Sequence, residues 1–71
     1  MSRFKLEPVN ELLNHYIVED TESGLLCMFE KGKFNETQEF RNIPQENIMQ
    51  VPTLMRELGD WLRENHYDKI F

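Results

Sequence analysis

The clearest hydrophobic pattern in the chain lies near its C-terminal end, where apolar residues recur along one helix face. They follow the i, i+1, i+4, i+7, i+8 spacing of an amphipathic helix. Val51 falls on the same stripe one turn earlier, and Pro52 suits a first helical position, where its missing N–H needs no partner. The pattern predicts a helix over about 52–65. Its apolar positions are Leu54, Met55, Leu58, Trp61 and Leu62.

Two residues inside this predicted helix need an explanation. Gly59 costs roughly 1 kcal/mol relative to Ala in a helix interior. We interpret it as a point where the helix backbone approaches the sheet closely, since glycine has no Cβ to hold two backbones apart. The alternative is a kink or a docking notch for a partner. Trp61 lies at the centre of the stripe and is interpreted as the core anchor rather than a ligand platform.

Three segments in the middle of the chain have the composition of β-strands. Residues 15–19 are rich in β-favouring side chains, and residues 25–30 form the most apolar stretch. Turn residues separate these segments from each other and from residues 33–41, which are polar apart from two phenylalanines. The simplest topology is an antiparallel three-stranded meander with the C-terminal helix laid across it.

The two ends of the chain carry weaker patterns. Residues 1–7 alternate between apolar and charged positions, which is typical of a short strand or a frayed end. The apolar residues of 8–14 have i, i+3, i+4 spacing, which predicts a short helix. After the long helix, Tyr67, Ile70 and Phe71 are expected to fold back onto the body, because a free tail would expose them.

The middle strand is apolar on both of its faces. Alternate side chains of a strand point to opposite faces, so Leu26 and Met28 are expected to lie on the face that the long helix leaves open. A bare apolar face is unusual on a soluble monomer. Either residues 8–14 or a second copy of the chain is therefore expected to cover it. The predicted fold class is α+β, with strands at about 15–19, 25–30 and 33–41, a helix at about 52–65 and a short helix at about 8–14.

Length, charge and cysteine content narrow the classes of function. The 71 residues predict a single small domain. A formal charge of −5 argues against a nucleic-acid partner, because binding to phosphates depends on Lys and Arg. The single Cys27 has no partner for an internal disulfide, and no apolar run reaches the roughly 20 residues of a membrane helix. With no apolar leader after Met1, these features predict a cytoplasmic protein away from membranes.

No catalytic motif of known mechanism occurs in the sequence, so an enzyme is not expected. Cys27 with His15 or His66 offers a nucleophile and a base, but a Cys within an apolar strand is usually a small hydrophobic residue. Glu64, His66 and Asp68 mix metal-ligand types near a helix end, where solvated residues are the more ordinary interpretation.

Two further groups of charged residues offer possible sites. The acids Glu19, Asp20 and Glu22 are expected on the solvated surface, because a catalytic carboxylate needs a desolvating pocket. One hairpin interleaves basic and aromatic residues as a nucleic-acid platform does. Acids on the same strand weaken that interpretation, and charges that block edge-to-edge strand pairing are the alternative. The members of this hairpin group are Lys31, Lys33, Phe34, Phe40 and Arg41.

These patterns together predict a non-catalytic protein-interaction or regulatory accessory module, with no cofactor and no metal. Its partner is expected to be another protein or a second copy of the chain. One alternative is a small metal- or ligand-binding protein or enzyme that uses His15, His66 and nearby carboxylates. Another is an acidic decoy that occupies the nucleic-acid-binding site of a different protein. The expected interface residues are Leu26, Met28, Phe34 and Phe40.

Overall fold

A computed structural model describes residues 3–70 and shows an antiparallel sheet packed against C-terminal helices. The predicted α+β class is confirmed, but the sheet has four strands rather than three. The strands are β1 (Phe4–Pro8), β2 (His15–Asp20), β3 (Leu26–Glu30) and β4 (Glu39–Arg41). The helices are α1 (Phe34–Thr37), α2 (Val51–Asn65) and α3 (Tyr67–Ile70), with a 3-10 helix at Gln45–Gln50 directly before α2.

The strands lie side by side in chain order, each antiparallel to the next. Their register assigns each side chain to one of two faces, because side chains alternate along a strand. The inner face, which packs against the helices, carries Phe4, Leu6, Tyr16, Val18, Asp20, Cys27, Phe29 and Phe40. The outer face carries Lys5, Glu7, His15, Ile17, Glu19, Leu26, Met28, Glu30, Glu39 and Arg41.

Helix α2 forms where the amphipathic spacing predicted it. It begins at Val51, with Pro52 in its first turn, and ends at Asn65. The backbone N–H of His66 then donates to the carbonyl oxygen of Leu62 at 2.7 Å. The apolar stripe packs against the inner face, so the helical spacing seen in the sequence marks the side of α2 that contacts the sheet. Its buried members are Val51, Leu54, Leu58 and Leu62.

The core lies between α2 and the inner face of the sheet. Leu58 and Leu62 are its fully buried residues from α2. Trp61 is half-buried, and its ring centroid lies 5.5 Å from that of Phe4. The indole therefore packs against the core, as predicted, but at its edge, and the fully buried residues of α2 are Leu58 and Leu62. The core cluster consists of Phe4, Val18, Leu25, Cys27, Phe29, Phe34, Leu54, Leu58, Leu62 and Ile70.

The alternation of apolar and charged residues near the N-terminus corresponds to a strand, β1, and no helix follows it before β2. Residues 9–14 make turns between β1 and β2, so the predicted helix at 8–14 is wrong. Asn14 has a φ of 61°, a left-handed conformation that a helix cannot include. Leu13 is 87% exposed, so the helical spacing has no core to pack against. No residue of 8–14 is buried, so this segment does not form the expected apolar cover.

The predicted third strand at 33–41 is interrupted by α1, and only its last part, β4, pairs with β3. Thr37 shows the local reason for the interruption. Its hydroxyl accepts a hydrogen bond from the Glu30 N–H at 2.9 Å and donates to the Lys33 carbonyl at 2.7 Å. These local bonds stabilise a turn in a segment whose polar side chains would have little to bury in a strand.

The C-terminal tail folds back onto the body through α3. Ile70 is only 2% exposed, as predicted, and the Gly32 N–H donates to the Lys69 carbonyl at 2.9 Å. Tyr67 is 62% exposed, so the prediction that it packs inward is wrong. The prediction for Phe71 falls outside the described residues.

The environment of Gly59 differs from the expected close contact with the sheet. A Cβ placed on Gly59 would meet only the Arg63 side chain, with Nη1 at 3.2 Å. No sheet atom within residues 3–70 lies inside 4 Å of that position. The close-approach interpretation is therefore wrong, because the nearest neighbour is the far end of a long, flexible side chain.

Gly59→Ala is expected to raise the free energy of unfolding by about 0.5–1 kcal/mol, because alanine restricts the unfolded chain and favours the helix. Urea denaturation at constant pH measures this change. Gly24→Ala is the matched control and should destabilise the protein, because Gly24 has a φ of +82°. A loss of stability in Gly59→Ala would show that Arg63 cannot move aside.

Candidate functional site

Asp20, at the end of β2, has a fully buried charged side chain. Arg3 donates two hydrogen bonds to this carboxylate, from Nε to Oδ1 at 2.9 Å and from Nη2 to Oδ2 at 2.7 Å. The Ser23 hydroxyl donates to Oδ2 at 2.8 Å, and the Glu22 N–H donates to Oδ1 at 3.0 Å. The expectation that Asp20 is a solvated surface acid is therefore wrong.

Arg3 extends this buried pair into a junction between three parts of the fold. Its Nη1 lies 3.4 Å from Oε1 of Glu57 on α2. Its backbone carbonyl accepts two bonds from Thr21, from the N–H at 2.9 Å and from the hydroxyl at 2.6 Å. The junction fastens the start of β1 to the β2–β3 turn and to the long helix. All of these contacts lie within the chain, so we interpret the cluster as structural.

The electrostatic balance at Asp20 favours the ionised carboxylate. Burial alone would raise its pKa, but the hydrogen bonds from Arg3, Ser23 and the backbone of Glu22 and Ser23 outweigh burial. The pKa of Asp20 falls from 3.8 to about 2. The hydrogen bond to Asp20 also raises the pKa of Arg3. Both groups therefore keep their charges at neutral pH.

The low pKa of Asp20 predicts a specific loss of stability in acid. The folded-state pKa of Asp20 lies below its unfolded-state pKa, so the ionised carboxylate adds to the free energy of unfolding. This contribution is complete above about pH 5 and is lost as pH falls towards 2. The expected loss is about 2 kcal/mol. Urea denaturation from pH 6 to pH 2 measures it, with Asp20→Asn as the comparison. The wild-type protein should lose more stability than Asp20→Asn, and parallel curves for the two proteins would contradict the prediction.

The thiol of Cys27 is enclosed by the core. Cys27 is fully buried on the inner face, and burial raises the pKa of its thiol to about 12. A thiolate is the reactive form of cysteine, so this environment disfavours nucleophilic chemistry. The interpretation of Cys27 as a small core residue is confirmed by its burial.

The two histidines occupy different layers of the fold. His15 alternates with Ile17 on β2 and lies on the outer side, with Nδ1 2.9 Å from the Leu13 carbonyl oxygen. His66 follows α2, and its ring centroid lies 4.9 Å from that of Trp61. The structure does not bring His15 and His66 together. Within residues 3–70, no group of three or more His, Cys, Asp or Glu side chains is arranged to hold a metal ion.

The outer face of the sheet is the surface that remains after the helices have packed. Helices α1, α2 and α3 all contribute buried side chains to the core on the inner side. At the centre of the outer face lie Ile17, Leu26 and Met28, each half-buried. Lys5 and Glu7 border a shallow cavity of about 220 Å³ beside them. The outer face therefore presents an apolar centre within a charged rim.

The four residues predicted as an interface fall on both sides of the sheet. Leu26 and Met28 lie together on the outer face, as their alternation indicated. Phe34 is buried in the core, where its ring meets that of Phe29 edge-on at 5.1 Å. Phe40 is half-buried and packs against the core from the inner face. Phe34 and Phe40 therefore do not share a surface with the other two, and the basic, aromatic hairpin presents no common aromatic face.

Sequence reasoning missed the charged rim of the outer face. Two ion pairs lie at its edges, Lys5 with Glu7 at 3.1 Å and Arg41 with Glu39 at 3.1 Å. Each pair joins residues two apart on one strand, which places both side chains on the same face. The alternation of charge in each edge strand was the signal available in the sequence.

Comparisons with known proteins leave the geometry as the basis for any functional conclusion. The chain matches no protein-family model, and neither a curated protein nor a solved structure shows significant similarity to it. Among residues 3–70, none of the helices has both the length and the apolar character needed to cross a bilayer.

Proposed function

We propose that this protein is a non-catalytic interaction module that binds a protein partner through the outer face of its sheet. The observation that carries the proposal is the apolar centre of that face, Ile17, Leu26 and Met28, opposite the face on which the helices pack. An apolar patch within a polar rim is typical of protein-binding surfaces. The partner is another protein or a second copy of the chain.

The other assignments gain less support from the described residues. A site that uses both histidines would need them close together, but they lie on different layers of the fold. An acidic decoy needs unpaired negative charge, but several acids lie within 4 Å of basic groups of the same chain. We propose no nucleic-acid partner and a cytoplasmic setting, which the free thiol of Cys27 fits.

Native mass spectrometry of the tagged protein, isolated from its source cells, tests the proposal. Wild-type protein should appear in a stoichiometric complex, and Leu26→Lys and Met28→Lys should abolish that complex because they place charge in the apolar centre. Met49→Lys is the matched control, since Met49 is exposed on the 3-10 helix, away from the sheet. Circular dichroism establishes that each variant is folded. An unchanged complex in folded Leu26→Lys and Met28→Lys proteins would overturn the proposal.

A further inference from the structure

Two neighbouring rows of the outer face run across all four strands and carry the charges at its two edges. A shorter third row, His15 opposite Glu30, lies on β2 and β3 only. The register places Lys5, Glu19, Leu26 and Arg41 opposite one another in the first row. It places Glu7, Ile17, Met28 and Glu39 in the second row. At both edge strands, therefore, the first row holds a cation and the second row an anion.

This arrangement is self-complementary under one rotation. A two-fold axis that lies in the plane of the interface, crosses the strands and passes between the rows places each strand over the same strand of a second copy. The first row of one copy then faces the second row of the other. Lys5 meets Glu7 of the second copy, and Arg41 meets Glu39 of the second copy. Leu26 meets Met28 of the second copy in the apolar centre.

The other two-fold axis in the same plane gives the opposite result. An axis parallel to the strands places β1 over β4 of the second copy. Lys5 then faces Arg41 of the second copy, and Glu7 faces Glu39 of the second copy. Like charges in contact are unfavourable at an interface, so the charge pattern selects the first axis. One contact is less favourable with this axis, because Glu19 of one copy faces the apolar Ile17 of the second copy. Within its own copy, however, Glu19 still has Lys5 as its cross-strand neighbour.

We propose that the protein forms a two-fold dimer in which the outer faces pack together, with Lys5 of each copy opposite Glu7 of the other. This inference rests on the proposed function and names the partner as a second copy of the chain. The face is small: four strands about 4.8 Å apart and about 17 Å long cover only roughly 300 Å² in projection. An interface of this size is expected to be weak, with a dissociation constant in roughly the micromolar range or above.

Charge reversal of one row position tests this register. Lys5→Glu places acids in both rows at β1, and Glu7→Lys places cations in both rows. Each variant alone should dimerise at least ~10-fold more weakly than the wild-type protein, because both symmetry-related contacts become repulsive. An equimolar mixture should form a heterodimer, since the acidic variant then faces the basic one. The double variant Lys5→Glu/Glu7→Lys should recover the wild-type affinity for itself.

Sedimentation equilibrium of the full chain over a dilution series measures the dissociation constants. Native mass spectrometry of the mixture, with one variant labelled with ¹⁵N, identifies the heterodimer. The matched controls are Arg63→Glu and Asp60→Lys, which make the same charge changes in an exposed ion pair on α2. They should dimerise like the wild-type protein. Recovery on mixing is the decisive result, because a folding defect in either variant would persist in the mixture.

Three results would overturn the dimer: a wild-type protein that stays monomeric at several hundred micromolar, single variants that dimerise normally, or a mixture that does not associate. The proposed function fails separately. If the wild-type protein is monomeric but Leu26→Lys abolishes a complex isolated from cells, the outer face binds a different protein and only the dimer is overturned. If Leu26→Lys and Met28→Lys change neither assembly, both proposals are overturned.

Discussion

Arg3→Met is expected to lower the free energy of unfolding by about 3–5 kcal/mol, because it leaves the buried Asp20 carboxylate without its cation. Arg3 supplies two of the hydrogen bonds to that carboxylate, at 2.9 and 2.7 Å, and the Asp20 side chain has no exposed surface. Ser23 and the backbone of the turn still donate to it, but they carry no compensating charge. The loss is large for a chain of 71 residues, whose total stability is expected to be roughly 4–10 kcal/mol.

Chemical denaturation in urea, followed by far-UV circular dichroism, measures the change in Arg3→Met. Arg63→Met is the matched control, because its guanidinium pairs with Asp60 on the exposed side of α2 at 3.4 Å. This control should change stability by no more than about 0.5–1 kcal/mol. The loss of stability in Arg3→Lys should lie between those of Arg3→Met and Arg63→Met, since lysine keeps the charge but cannot form the two parallel hydrogen bonds of a planar guanidinium.

Adding Asp20→Asn to Arg3→Met separates the effect of the unpaired charge from that of lost packing. If the buried charge causes the loss, the double variant should be more stable than Arg3→Met alone, because no ionised group is left unpaired. Equal losses in Arg3→Met and Arg63→Met would contradict the role assigned to this pair.

The two helical patterns in the sequence had different outcomes for one physical reason. The stripe of α2 covers 15 residues and packs against the sheet, whereas the spacing in residues 8–14 spans two turns and leaves Leu13 exposed. Periodicity predicts a helix only where the apolar side chains find a surface to bury against, because short helices depend on packing. The left-handed conformation at Asn14 then completes a turn instead.

The buried pair of Arg3 and Asp20 was beyond local sequence reasoning. The two residues are 17 positions apart, and their contact depends on the pairing of β1 with β2. Asp20 begins a stretch of turn-forming residues, whose composition is typical of solvated surface. The contact could be inferred only by combining two predictions. If residues 1–7 form a strand and that strand pairs with β2 in a hairpin, Arg3 comes close to Asp20.

Strand alternation correctly assigned the two faces of β3, which is why Leu26 and Met28 were placed together from sequence. The same rule gives no guide to Phe34 and Phe40. Their even spacing matches one face of a strand, but α1 interrupts the segment between them. Alternation is informative only while the chain stays extended, and the side chain of Thr37 closes a local turn that no periodic pattern reveals.

Phe29→Ala is expected to lower the free energy of unfolding by about 3–5 kcal/mol, since it removes a fully buried ring from the centre of the core. Phe29 lies on β3, and its ring contacts two others. The centroid of Phe34 is 5.1 Å away in an edge-on arrangement, and that of Tyr16 is 6.0 Å away in a stacked one. Truncation therefore removes contacts with α1 and β2 at the same time and leaves a cavity in the core.

Differential scanning calorimetry and urea denaturation measure the effect of Phe29→Ala, with Phe29→Leu and Leu13→Ala as comparisons. Leucine fills part of the cavity, so Phe29→Leu should lose less stability than Phe29→Ala. Leu13 is 87% exposed, so Leu13→Ala should change stability by less than about 0.5 kcal/mol. Because the core is shared by the sheet and all three helices, Phe29→Ala should unfold in one lower transition rather than lose α1 alone. A variant that keeps wild-type stability would show that the ring is not the centre of this core.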